Sequence, residues 1–256
     1  MAEPQIITSR DNALVKELRR LSQDNAGYRK AGRFWVEGEH LCSAALARGV
    51  RPLMLICSQS AWPNLASPYI DAAAHVTLIP DALYADVSGL ESPARWGYML
   101  SLPTAVDIRQ HQGTVVLDRL QDAGNVGSIL RSAAAFGFTQ VLALKGCAGL
   151  WSPKVLRAGM GAHFGLHLVE SLEPSQLQQL QMPLVVTSSH QGEFIQDIDL
   201  PWPCAWVMGH EGQGVRTELM AQAQVHVRIG QPGGEESLNV AAAAAICLHA
   251  SSLNRH

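Results

Sequence analysis

LDRLQDAGNVGSILRSAAAFGF, residues 117–138, is the stretch whose reading decides the fold. An apolar strand, Thr114–Leu117, runs into it, and a loop with Asp122, Gly124 and Asn125 follows. A helix over 126–136 is stopped by Gly137, and Gln140–Leu144 reads as the next strand. On a helical wheel Ile129, Ala133 and Phe136 share one face, whereas Ser128, Arg131 and Ala135 share another that is small and polar. Arg131 is the only charge between Ala123 and Gly137. A lone arginine among alanines is costly to bury unless paired, so it either snorkels to solvent or addresses an anion. Gly124 and Gly127 allow close approach at a helix N-terminus, which favours phosphate.

The alternation continues outward. Ser152 and Pro153 open a helix over 152–158, and Phe164–Val169 alternates as a strand. Leu184–Thr187, Ala205–Met208 and Val225–Ile229 are strands of the buried type, and 238–250 is an Ala-rich last helix that Ser237 begins. Such strands predict an α/β fold with a mostly parallel sheet covered on both faces. Ligands of such sheets sit beyond the carboxyl ends of the strands, so the decisive residues should follow 117, 187, 208 and 229.

Towards the N-terminus, Leu14, Val15, Leu18 and Leu21 predict a helix over 9–22 with Ser9 or Asp11 as cap. Phe34–Val36 reads as a strand, Glu39–Arg48 as a helix ended by Gly49, Leu53–Cys57 as a strand, 67–74 as a helix and Val76–Ile79 as a strand. SLPTAVDIRQHQG, 101–113, is polar and aperiodic and reads as a linker. The expected organisation is a domain over 1–100, this linker, and a second domain over 114–256.

At 256 residues and 47% hydrophobic, the chain can hold one large or two modest cores, and disorder is excluded. No window reaches the roughly 18 consecutive apolar residues of a membrane span. MAEPQIITSRDNALVKELRR lacks the basic start and apolar core of a signal peptide, so the expected compartment is the cytoplasm. Five scattered cysteines, none in a CxxC pair, argue against a disulfide framework or a zinc site. His163 and His167 lie four apart and read as a structural pair on one strand face rather than as metal ligands.

Lys and Arg number 19 against 22 Asp and Glu, but the charge is unevenly spread. Residues 1–51 hold nine basic and six acidic side chains, a balance of +3, and the rest of the chain balances at −6. Arg10, Arg19, Arg20, Arg29, Lys30 and Arg33, with Tyr28, Phe34 and Trp35 nearby, suit a phosphate backbone with exposed bases. A solvated helix face explains the same pattern.

Two further segments carry chemistry. In WVMGHEGQGV, 206–215, a strand runs into three glycines around Glu211, a carboxylate placed either to cap backbone amides or to act on a substrate. GHEGQG is neither a Walker loop nor GxGxxG. His210 sits inside this loop and is the histidine that invites a contact role. In IGQPGGEESLNVAAAAAICLHA, 229–250, a Pro-Gly-Gly turn precedes the last helix, with Asn239 in its first turn.

In order and spacing these segments closely resemble the three motifs of the SpoU family of RNA ribose 2′-O-methyltransferases, within the SPOUT superfamily. The matching positions are Asn125, Gly127 and Arg131; Gly209, Glu211 and Gly214; and Ile229, Gly233, Ser237, Leu238, Asn239 and Val240. The stretch 152–168 resembles the family's intermediate segment, and the N-terminal part more loosely resembles an L30e/L7Ae-like substrate-binding domain. The chain departs from the family at Ala123, where proline is usual, at Gly230 and Gln231, where Pro-Met is usual, and at Ala241, where serine is common.

The resemblance implies a trefoil-knotted domain, S-adenosylmethionine as cofactor, no metal, and RNA as substrate, ribosomal RNA ahead of transfer RNA. A non-catalytic RNA-binding protein that kept the knot is the alternative. It implies that Thr187, Gly209, Gly214, Ile229 and Leu238 hold the cofactor. It assigns the chemistry to Arg131, Asn125, Glu211, Ser237 and Asn239, with Asn125 orienting Arg131 or the ribose. An arginine keeps its proton, so gripping a phosphate and stabilising oxyanion charge suits Arg131 better than acting as a base. The family also implies a homodimer paired through the C-terminal domain; Trp202, Trp206 and the Ala-rich helix fit such a surface, and an ordinary core explains them equally well.

Overall fold

The computed structural model describes residues 4–104, 107–188, 192–233 and 238–253. The chain divides into two compact units, Met1–Thr104 with Trp151–Phe164, and Ala105–Leu150 with Gly165–His256.

In the first unit the strands are β1 (Gln5–Ile6), β2 (Arg33–Glu37), β3 (Met54–Ser58), β4 (Val76–Ile79) and β5 (Trp96–Ser101). They form one sheet in the order β1-β4-β3-β5-β2, with β5 antiparallel to both neighbours and the other pairs parallel. The helices are α1 (Ala13–Gln23), α2 (Gly27–Ala31), α3 (Glu39–Ala47), α4 (Ser67–Asp71) and α5 (Asp81–Val87). The spacing read from the sequence places Val15, Leu18 and Leu21 of α1 in the core. The cap differs from expectation: Asn12 Oδ1 accepts from Leu14 N at 2.9 Å, while Ser9 closes a preceding turn by accepting from Asp11 N. Pro153–Gly159 (α7) belongs to this unit, and Trp151 lies 4.6 Å from Phe34, centroid to centroid.

The second unit carries β6 (Thr114–Leu117), β7 (Gln140–Leu144), β8 (His167–Leu172), β9 (Leu184–Thr187), β10 (Glu193–Phe194), β11 (Ala205–Met208) and β12 (Val225–Arg228). Every pairing is parallel, in the order β10-β12-β9-β11-β6-β7-β8. The later strand β11 thus lies between β6 and β9. Val116, Leu142, Val186 and Val207 pack in a core cluster with Leu177, Leu180 and Leu219. Helix α6 (Ala123–Ala135) packs against α9 (Val240–Leu253), and α8 spans Thr217–Gln222. Trp206 is fully buried and donates from Nε1 to Ser251 Oγ at 2.7 Å, so it is core and contributes no surface. The half of the expected linker next to β6 is anchored. Buried Gln140 accepts from Arg109 N at 2.8 Å and donates to Arg109 O at 3.0 Å, and His167 Nε2 bonds to Asp107 O.

The strand expected over Phe164–Val169 is displaced. Ala162–Gly165 forms a 3-10 turn and β8 starts only at His167. Gly161, at φ +85°, breaks the extension, and His163 is buried so close to Gly159 that a Cβ there would meet its ring at 2.4 Å. His163 and His167 therefore do not share a strand face. Helix α6 starts three residues earlier than the pattern predicted, because Asp122 Oδ1 caps it by accepting from Asn125 N at 2.7 Å.

Candidate active site

Strands β9, β11 and β12 end around a cavity of about 380 Å³. Thr187, Gly209, Gly214, Ile229 and Leu238, the five residues expected to hold a cofactor, all line it. Glu211, His210, Gln231 and Val240 line it as well. The loop after β11 closes on itself: His210 N donates to Gly214 O at 3.0 Å and Gly214 N to His210 O at 2.8 Å. A Cβ on Gly209 would meet Val215 N at 2.2 Å, so only glycine lets the chain turn this tightly. His210 serves the loop itself, its Nδ1 accepting from Gly212 N at 3.0 Å, which leaves the ring proton on Nε2.

The polar residues converge through Asn125. Its Nδ2 donates to Glu211 Oε1 at 3.3 Å, and its Oδ1 accepts from Asn239 Nδ2 at 3.0 Å. Glu211 Oε1 also accepts from Asp122 N at 3.2 Å. Burial works against the Glu211 charge, but backbone donors and the Asn125 amide outweigh it and hold the carboxyl below its ordinary range. Glu211 is therefore an ionised acceptor at neutral pH and has no proton to give. Asn239 Oδ1 accepts from Ala241 N at 2.9 Å and Ala242 N at 3.2 Å, so it also caps α9. Glu211 Oε1 thus receives both a backbone amide and Asn125, while Asn239 caps backbone through Oδ1 and joins the polar cluster through Nδ2.

Arg131 stands six residues along α6 from Asn125 and is exposed with Ser128 and Ala135, and its side chain makes no hydrogen bond or ion pair with any described residue. Of the two roles expected of Asn125, the structure has no hydrogen bond between it and Arg131; its amide joins Glu211 and Asn239 instead. Ser237 lies outside the described residues.

The sequence reading missed a buried ionic clamp under the loop. Asp118 is fully buried; it accepts from Arg216 N at 2.9 Å and Nε at 2.7 Å, and from Arg119 Nε at 3.1 Å. Arg119, at φ 57°, also donates to Gln213 Oε1 at 2.9 Å. Burial opposes the Asp118 charge, yet the Arg216 and Arg119 hydrogen bonds hold its carboxyl below the ordinary range. The position of Asp118 directly after the strand Thr114–Leu117 was the available signal.

In the first unit the basic side chains divide. Arg10, Arg20, Arg29 and Lys30 are exposed, Arg29 donating from Nε to Tyr28 Oη at 3.1 Å. Arg33 is held by Glu17 at 2.8 and 2.6 Å, and Arg19 pairs with Asp86. Tyr28, Phe34 and Trp35 are buried, so they cannot stack on bases as the sequence suggested.

The model of the SpoU rRNA Methylase family matches residues 112–249, and that of the MRM3-like substrate binding domain matches 12–96. An uncharacterised tRNA/rRNA methyltransferase of Synechocystis sp. is 32% identical over 95% of this chain and 92% of its own. The 23S rRNA (guanosine(2553)-2′-O)-methyltransferase of Bacillus subtilis is 27% identical over 95% of this chain and 97% of its own. Among solved structures, the AdoMet-bound rRNA methyltransferase of Sinorhizobium meliloti aligns over 98% of both chains with a TM-score of 0.85 and 25% identity.

Proposed function

The chain belongs to the SpoU rRNA methylase family, and on that premise we propose that it transfers a methyl group from S-adenosylmethionine to a ribose 2′-hydroxyl of RNA. Ribosomal RNA is the favoured substrate, in line with the name of the Bacillus relative. The observation that carries this reading is the Asn239–Asn125–Glu211 chain of hydrogen bonds beside a cavity of about 380 Å³ at the strand ends.

The cavity suits the cofactor. Its volume falls in the ordinary range for small-molecule sites. Ile229, Leu238 and Val240 offer apolar walls for a purine, while the glycines of the 209–214 loop leave backbone groups accessible to polar atoms. Gln231 Oε1 is buried in this wall without a partner among the described residues. When bound, the sulfonium supplies an electrophilic methyl group with a neutral leaving group.

The protein's task is then the nucleophile. Asn125, its amide fixed by Glu211 and Asn239, orients the ribose, and proximity supplies much of the rate. Arg131, cationic and without an intramolecular partner among the described residues, grips the adjacent phosphate and stabilises the oxyanion that develops. Asn239 completes the polar rim, and the family pattern gives Ser237 a part in the chemistry. Arg10, Arg20, Arg29 and Lys30 supply the electrostatic attraction for RNA. We place the reaction in the cytoplasm, where five free thiols belong.

A homodimer through the second unit fits this reading. Ala242, Ile246, His249 and Leu253 recur at helical spacing on α9 and are exposed, Leu253 at 63%. Sedimentation would give the mass of two chains, and Ile246→Glu would return one. Calorimetric titration with S-adenosylmethionine tests the cofactor assignment: saturation near one site per chain supports it, and no binding with or without ribosomal RNA rejects it.

A further inference from the structure

Arg119 stands just past the end of β6 with a left-handed backbone, φ 57°, that arginine seldom adopts. Its guanidinium is divided between two partners. Nε and Nη2 donate to the two carboxylate oxygens of buried Asp118 at 3.1 and 3.2 Å, and Nη1 donates to Gln213 Oε1 at 2.9 Å. Nη2 also reaches Gly214 O at 3.4 Å. Asp118 does not depend on this arginine for its charge. Arg216 already donates to it from its backbone N and from Nε, and Arg216 Nη2 lies 2.5 Å from Oδ1. What Arg119 adds is a link outward, to an exposed glutamine on the loop that walls the cavity. That loop is otherwise tied by its own His210–Gly214 bonds and through Glu211, so Gln213 fastens its returning arm to the end of β6. Neither Arg119 nor Gln213 is among the positions that match the family motifs. A strained backbone persists where the surrounding structure over-determines it, and here the over-determination comes from both ends of one guanidinium.

We propose that Arg119 is a positioning residue for the cofactor: anchored on Asp118, it latches Gln213 and fixes the 209–214 loop in its binding shape before S-adenosylmethionine enters. This rests on the cavity being the S-adenosylmethionine site. A wall ordered in advance spares the cofactor the entropy of ordering it, so the latch is read in cofactor affinity.

The test is calorimetric titration with S-adenosylmethionine of wild type, Arg119→Gly, Arg119→Ala, Gln213→Ala and the double variant Arg119→Gly with Gln213→Ala. Thermal unfolding and RNA binding are recorded for each. The expected result is cofactor binding about 5-fold weaker in every single variant, the size of one hydrogen bond, with no further loss in the double variant, because both changes break one contact. Glycine relieves the left-handed backbone and alanine does not, so Arg119→Gly should unfold at a higher temperature than Arg119→Ala while binding the cofactor equally weakly. Affinity that instead follows the unfolding temperature makes Arg119 merely structural and overturns the assignment. Wild-type affinity in Arg119→Gly or in Gln213→Ala overturns it too, as do losses that add in the double variant. A loss confined to RNA binding makes Arg119 a phosphate contact and also overturns it. Gln213→Ala leaves Arg119 on Asp118, so it decides the matter even where the Arg119 variants fail to fold. A wild type that binds no S-adenosylmethionine overturns the site and the latch together.

Discussion

Asn239 Nδ2 donates to Asn125 Oδ1 across 3.0 Å, joining the start of α9 to the first turn of α6. Because Asn125 Nδ2 is turned to Glu211, the amide has one orientation, oxygen to Asn239 and nitrogen to Glu211. Two later segments, 86 and 114 residues further along the chain, meet at this one side chain. Replacing Asn125 by Ala should lower kcat for ribose methylation by about 10²-fold, the range for losing one positioned polar group. Cofactor affinity, measured by calorimetry, should change little. Asn239→Ala should lower kcat as well and also reduce stability by about 1 kcal/mol, since it removes the α9 cap.

Arg131 should separate binding of the cofactor from chemistry on RNA. Arg131→Ala is expected to retain full S-adenosylmethionine affinity and lose about 10²–10³-fold in kcat/KM for RNA. Arg131→Lys keeps the charge but not the planar fork and should recover only part of the loss. Full activity in Arg131→Ala would remove the proposed role.

Asp118 sets an acid limit on the second unit. Its folded carboxyl titrates below the ordinary range, so the stability it contributes is present above the ordinary carboxylate value of 3.8 and is lost as pH falls through the lower folded value. Asp118→Asn should cost about 3 kcal/mol at neutral pH, because Arg216 and Arg119 lose a buried partner. It should also flatten the acid limb of a stability–pH curve measured by chemical denaturation.

The exposed basic side chains and the paired ones should behave differently. Neutralising Arg10, Arg20 and Lys30 together should weaken RNA binding and reduce the slope of log K against log salt by about 2. Arg33→Ala should leave that slope nearly unchanged and show instead in stability, because Glu17 already engages the guanidinium.

Much of the sheet was legible because its strands are continuous apolar runs. Thr114–Leu117, Gln140–Leu144, Leu184–Thr187 and Ala205–Met208 match their predicted bounds. β10, α2 and α8 are short and are not apolar runs, so neither hydrophobicity nor period marks them. The residues that line the cavity were legible through the rule that such sheets bind ligands past their carboxyl ends, together with family spacing. What the sequence concealed was pairing at a distance. Arg33 counted as an RNA contact until Glu17 claimed it, and Tyr28, Phe34 and Trp35 counted as stacking surfaces until packing buried them. The Asp118 clamp depends on Arg216, 98 residues away, which no local pattern announces.

Ribose methylation itself is tested most directly by incubating the protein with methyl-labelled S-adenosylmethionine and ribosomal RNA, then mapping alkaline cleavage. A methyl on the 2′-oxygen blocks cleavage at its own linkage, whereas most base methyls leave it open. The predicted result is label incorporated at one linkage that becomes alkali-resistant, and neither label nor resistance with Arg131→Ala. Label in RNA whose every linkage remains alkali-labile would place the methyl on a base and contradict the account.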